Sequence, residues 1–188
     1  MNTTKLGLLL LLFAITTHAE EFTVDPSHTE IGFAVKHLML SNVKGSFNSF
    51  EGTLDYDIAA KELKSVKGSI STASIYTNNE KRDEHLKSAE FFNIGNYPNM
   101  EFHSTSVKKE DDGSFTLTGN LKVLGVDHEV VLPATITGPI DDPWGNKRIG
   151  IESDAVLNRR DLGITSSPAT MIGDEVAVSI SAEAILKP

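Results

Sequence analysis

Between Asn79 and Pro98 the chain reads NEKRDEHLKSAEFFNIGNYP, which sets Arg82, Asp83, Glu84 and His85 side by side. An acid, a base and a cation so close together could hold a metal ion or move a proton. A metal site needs two or three ligands converging on one side, yet His85 has no second histidine at i+4 and no His-Glu-x-x-His pattern around it. Asp83 and His85, two apart on a helix, point away from each other. His28, His37, His103 and His128 are scattered over different strand-like segments, so no metal site is expected. Nucleophilic catalysis has no better support, because the chain has no cysteine and no Gly-x-Ser-x-Gly elbow. Neither phosphate-binding glycine motif is present. Asp111-Asp112 and Asp141-Asp142 read most simply as turn residues. No catalytic residue and no cofactor is assigned. An enzyme acting on an amphiphile, with His85 or His103 as acid or base, is the alternative, and it requires a histidine facing a cavity beside a second titratable group.

The element that carries this cluster is a helix. From Asn79 the apolar period changes from two to about 3.6, with Arg82, Leu86 and Ala89 on one face. Asn78 or Asn79 can cap it, Glu80 suits its first turn, and Asp83 with Lys87 makes an i,i+4 pair. A helix of about three turns is marginal in water, so Leu86, Phe91 and Phe92 must anchor it by tertiary packing. Arg82, on the buried side, is expected to bond a carboxylate or strand carbonyls.

Around this helix the chain alternates with period two, the pattern of strands with one buried face. Thr29 to Lys36 forms the first such run. Val43, Gly45 and Phe47 begin a second, whose parity slips to Phe50, Gly52, Leu54 and Tyr56, which predicts a bulge near Asn48 and Ser49. A third runs from Val66 to Thr72. Met100 to Ser106 and Phe115 to Val123 flank Asp112-Gly113, the clearest hairpin signal. Val130 to Ile136, Ile149 to Leu157 and Val176 to Ala184 complete eight strands in antiparallel succession. Eight strands can close as a barrel or split as a sandwich, and several runs of ten or more residues favour a tilted barrel. Such a barrel is wide enough to be filled by its side chains or to hold one small ligand. Gly52, Gly68 and Gly119 share parity with the apolar residues and supply no side chain where a filled barrel wants one.

The chain has 188 residues and opens with MNTTKLGLLLLLFAITTHA, a lone lysine followed by an apolar run and small residues at 17 and 19. Residues 1–19 read as a cleaved secretory signal, because the run is shorter than the roughly 20 residues that cross a bilayer. Residues 20–188 then form one domain, expected to be soluble, without stable membrane insertion, and periplasmic in a Gram-negative source. A net charge of −9 disfavours nucleic acid and anionic surfaces as partners. A homodimer is compatible with this composition.

Five segments, in order, resemble the YceI-like family of exported lipocalin-like polyisoprenoid-binding proteins along nearly the whole mature length. They are DPSHTEIGFAVKHL (25–38), VKGSFNSFEGTL (43–54), RDEHLKSAEFFNIGNYP (82–98), GNLKVLGVDHEVVLP (119–133) and NRRDLGI (158–164). The chain departs from the usual family pattern at Thr29, Asn120, Lys122, the Asp127-His128-Glu129 turn and Leu162. The resemblance implies an all-β fold, an extended eight-stranded antiparallel barrel, into which the residue pattern sets the short helix between strands 3 and 4. It also implies an apolar tunnel for a polyisoprenoid, such as an isoprenoid quinone or precursor, or a similar long-chain lipid. Combining it with the alternation, Phe33, Val35, Phe47, Leu54, Ile70, Phe102, Leu117, Leu121, Ile136, Ile149, Ile151, Val178 and Ile180 are expected to line that tunnel, and Leu86, Phe91 and Phe92 to close or shape one side. Each buried methylene contributes about 0.8 kcal/mol, so a dozen carbons give roughly 10 kcal/mol before ordering costs. A filled barrel acting as an interaction or stress-protective module is the remaining alternative, and it predicts an exposed apolar patch and no tunnel.

Overall fold

The computed structural model describes residues 18–187. The secretory-signal expectation rests on residues 1–19, of which 1–17 lie outside that range.

The described residues form one antiparallel sheet. A ring of eight strands closes on itself: β1 (Glu20–Val24), β4 (Phe50–Asp57), β5 (Glu62–Ser71), β7 (Asn99–Lys109), β8 (Phe115–Val123), β9 (Val126–Asp141), β10 (Lys147–Asn158) and β11 (Ile172–Leu186). Closure comes from β1, which pairs with β4 on one side and with β11 on the other. A closed ring leaves no free edge along its length. Three further strands, β2 (Glu30–His37), β3 (Ser41–Phe47) and β6 (Ile75–Tyr76), extend the wall upward from β11.

Two long strands are thus each cut in two. β1 and β2 both run antiparallel to β11 and are separated by a 3₁₀ turn, Pro26–His28. β3 pairs with β2 and β6, whereas β4 pairs with β1 and β5. The parity slip between Phe47 and Phe50 is therefore a break between two strands and not a bulge within one. Counting β3 and β4 together, and passing over β1 and β6, also misplaces the helix. α1 (Glu80–Lys87) follows β6 instead of lying between a third and a fourth strand. β1 is five residues with one apolar pair, Phe22 and Val24, too short to display a period.

The turns have the residues their geometry demands. Gly113 adopts φ 86° and donates its N–H to Glu110 O between β7 and β8. Leu124 and Gly125, both at positive φ, form the two-residue loop between β8 and β9 that matches strand twist.

Apolar residues gather at two levels. The floor contains Phe22, Leu54, Tyr56, Leu63, Phe115, Leu117, Ala134, Ile149 and Ala184, with Phe22 and Ala184 wholly buried. The lid contains Phe91, Val123 and Ile164, backed by Leu86, Phe92, Leu121 and Leu162 among others. No helix among the described residues is long and apolar enough to cross a membrane.

Candidate functional site

The lid is built first from polar anchors. Asn79 caps α1 by accepting the Arg82 N–H, and the helix makes two turns, not three. The buried charge is Asp83, not Arg82: its carboxylate accepts from the Thr77 N–H at 2.9 Å and from the Thr77 hydroxyl. Arg82, half-buried, donates to Thr77 Oγ1 at 2.8 Å and to Thr77 O at 2.7 Å, so its partner is the residue after β6 and neither a carboxylate nor a strand carbonyl. Lys87 pairs with Glu84 at 3.0 Å instead of with Asp83, and Ala89 is exposed.

A second segment, residues 159–171, closes the same end. Arg159 is 4 % exposed and donates to five carbonyls, those of Gly173, Ile164, Ser166, Ser167 and Ile172, at 2.8–3.0 Å. Asp174 lies 2.9 Å from the same guanidinium and also bonds Arg160. Burial pulls the Arg159 pKa downward, and Asp174 opposes that. The Ser166 hydroxyl bonds the Glu90 carbonyl and so ties this segment to the one after α1.

Between floor and lid lies a belt that belongs to neither. Phe33 and Val35 of β2, Phe47 of β3, Ile70 of β5, and Val178 and Ile180 of β11 all face inward by register. None of these six is part of the floor or lid cluster. Five keep partly accessible side chains, and Phe47 is 7 % exposed. The Phe47 ring lies 5.7 Å from Phe33 and 5.9 Å from Phe92 of the lid, edge-on to the latter. At Gly68, inward on β5, an added Cβ would meet only Glu51 O, at 3.6 Å.

The remaining expected lining residues separate by level. Leu54, Leu117 and Ile149 are sealed in the floor, 1–5 % exposed. Phe102, Ile136 and Ile151 pack on top of that floor. Leu86, Phe91, Phe92 and Leu121 belong to the lid. Two of the three glycines read as vacancies are filled: the Phe102 ring occupies the Gly119 side, and Val24 approaches Gly52. Ile31 and Phe50 also face inward and escaped the expected lining; Phe22, at the centre of the floor, was missed with β1.

His85 lies outside the barrel, 2.8 Å from Glu90 and edge-on to Phe91. His103 is exposed on the outer face, beside Asn120. The histidine that turns inward is His128, opposite Leu121, and its buried Nε2 has no hydrogen-bond partner among the described residues. Its neighbours Asp127 and Glu129 are exposed. Asp25, His28 and Glu183 bring one ligand atom each within 4.8 Å of one another. Arg148 already occupies that cluster, donating to Asp25 at 2.7 Å, Glu183 at 3.1 Å and Asp142 at 2.7 Å. Bonds from Ser27, Arg148 and His28 hold the Asp25 carboxyl far below the usual carboxylate range. Burial would raise the Asp142 carboxyl, but bonds from Arg148, Asn146 and Trp144 outweigh it and lower it strongly. The arrangement is an ion-paired strand junction.

Comparison with known proteins places this architecture. The YceI-like domain matches residues 22–184. Protein YceI of Salmonella newport is 38 % identical over 192 residues, covering 98 % of each chain. The crystal structure of the Campylobacter jejuni YCEI protein superposes with a TM-score of 0.75 at 34 % identity, over 81 % of this chain and 90 % of that one. A polyisoprenoid-binding domain from Saccharophagus degradans shares the fold, with a TM-score of 0.69 at 12 % identity, over 88 % of this chain and 98 % of that one.

Proposed function

The chain belongs to the YceI-like family, and from that premise we propose that it holds the apolar chain of a polyisoprenoid or similar amphiphile between floor and lid. The observation that carries this reading is the belt: six inward-facing apolar residues outside both clusters, five of them only half-buried, beside Gly68, where a single atom lies within 4 Å of an added Cβ. Apolar surface that faces inward but remains accessible is stabilised when a ligand removes it from water. The barrel grips the chain by shape, so length and slenderness govern selection more than any one contact. The structural neighbour described as polyisoprenoid-binding supports the ligand class. In this reading the protein is a carrier or reservoir, exported after loss of residues 1–19 and working in the periplasm as a monomer or homodimer.

Native mass spectrometry of protein purified from its own host, with organic extraction of what it carries, tests the proposal. The expected result is a one-to-one complex with a long-chain isoprenoid. Recovery of lipid-free protein that also fails to take up added isoprenoid alcohols would overturn it.

A further inference from the structure

The wall of the barrel has an interruption at the level of the belt. Pairing between the β1/β2 run and the β3/β4 run stops at Thr23–Thr53 and resumes at Ile31–Phe47. Residues 24–30 and 48–52 therefore make no ladder bonds across this seam.

The break is braced from both sides. Asp25 caps the 3₁₀ turn by accepting the Ser27 N–H at 3.0 Å, and Pro26 has no N–H to donate. Arg148 grips the Asp25 carboxylate, and the Asp25 N–H bonds Glu183 O at 2.8 Å. Across the seam the Asn48 N–H turns to Ser74 O, and Ser49 O accepts from the Ser71 N–H. The backbone groups at the break thus bond away from the gap. The Asp-Pro-Ser-His segment, which the lipid-holding reading leaves unused, becomes the frame of an opening.

A cavity of about 360 Å³ occupies that place. Thr29, Glu30, Ser46 and Asn48 line its outer part, and the inward-facing Ile31 and Phe47 line its inner part. Phe47, at its inner edge, contacts the rings of Phe33 and Phe92.

Resting on the lipid-holding reading above, we infer that this opening is the seat of the amphiphile's polar end and that it takes an uncharged hydroxyl head, not a phosphate. None of the residues lining the cavity is lysine, arginine or histidine, and Glu30 contributes a carboxylate. Thr29 Oγ1 donates to Asp25 O, and Ser46 Oγ donates to Asn48 Oδ1. The rim therefore offers acceptors and an amide donor, which suit an alcohol. A phosphate would meet a like charge with no cation to compensate it.

The test measures equilibrium binding of a C20 isoprenoid alcohol and of its monophosphate to the full mature chain. It compares wild type with Glu30→Lys and with Glu129→Lys, the same charge change on the exposed face of β9. The wild-type protein is expected to favour the alcohol by about tenfold, equivalent to about 1.4 kcal/mol. Glu30→Lys should erase most of that preference, and Glu129→Lys should leave it. Equal wild-type affinity for the two probes, or equal effects of the two substitutions, overturns the assignment of the head site while leaving the barrel as a lipid holder. If wild type binds neither probe, the lipid-holding reading falls and this inference falls with it.

Discussion

The two ends of the barrel are closed by different physics. At the floor, nine buried residues from seven of the ring strands interlock, and Phe22 meets Tyr56 edge-on with ring centroids 6.4 Å apart. At the lid, three buried apolar residues are supplemented by polar knots on Asp83 and Arg159. Apolar packing is non-directional and is lost only when the wall itself comes apart. Hydrogen-bonded knots hold short segments in place and can open locally without unfolding the strands beneath them. One end is closed by packing, and the other is closed by hydrogen-bonded ties.

The sharpest way to break this contrast is to cut into the floor. Phe22→Ala should cost about 3–5 kcal/mol in urea unfolding, the range for emptying a close-packed aromatic site. A loss below 1 kcal/mol would mean that β1 does not close the ring. Arg159→Leu removes the shared donor of five carbonyls and should destabilise by about 3 kcal/mol, since water reaches only some of the acceptors left behind. Its signature is faster proteolysis within residues 159–171 at a temperature where the floor variant is still intact. Asp83→Ala should cost about 1–2 kcal/mol. That loss should appear in the amide exchange of residues 77–90 before it appears in the global transition.

The smallest effect expected is in acid. Asp25 and Asp142 have folded-state pKa values below their ordinary 3.8, so the unfolded chain binds protons there before the folded one does. Their contribution is complete above the ordinary value and is lost as pH falls through the lowered one. Arg148→Met removes the shared partner and should move the acid-unfolding midpoint to higher pH. Circular dichroism across that range reads the shift, and an unmoved midpoint would remove the junction from the account of stability.

Period-two alternation made most of the ring legible, because a strand's inward set follows from its own residues. The slip from Phe47 to Phe50 was visible for the same reason, and both halves do face inward. That the slip is a change of partners was not visible, since pairing with β2 or with β1 depends on residues far away in the chain. The same limit governs the helix. Asn79 as cap is local and was expected, whereas the burial of Asp83 depends on Thr77 folding over it. Space at Gly119 is not legible from its own strand, because the side chain filling it, Phe102, comes from the neighbouring one. Gly68 retains its space because the residues paired with it, Gly52 on β4 and Phe102 on β7, leave its inward side open.

That difference gives the most direct test of the belt. Gly68→Leu places a branched side chain where only Glu51 O lies within 4 Å of an added Cβ. If the belt is the wall of a lipid site, the thermal midpoint should hold or rise and affinity for a C20 isoprenoid alcohol should fall by at least tenfold, about 1.4 kcal/mol. A lowered midpoint with isoprenoid binding unchanged would contradict the account, because the space beside Gly68 would then be core that tolerates no filling and holds no ligand.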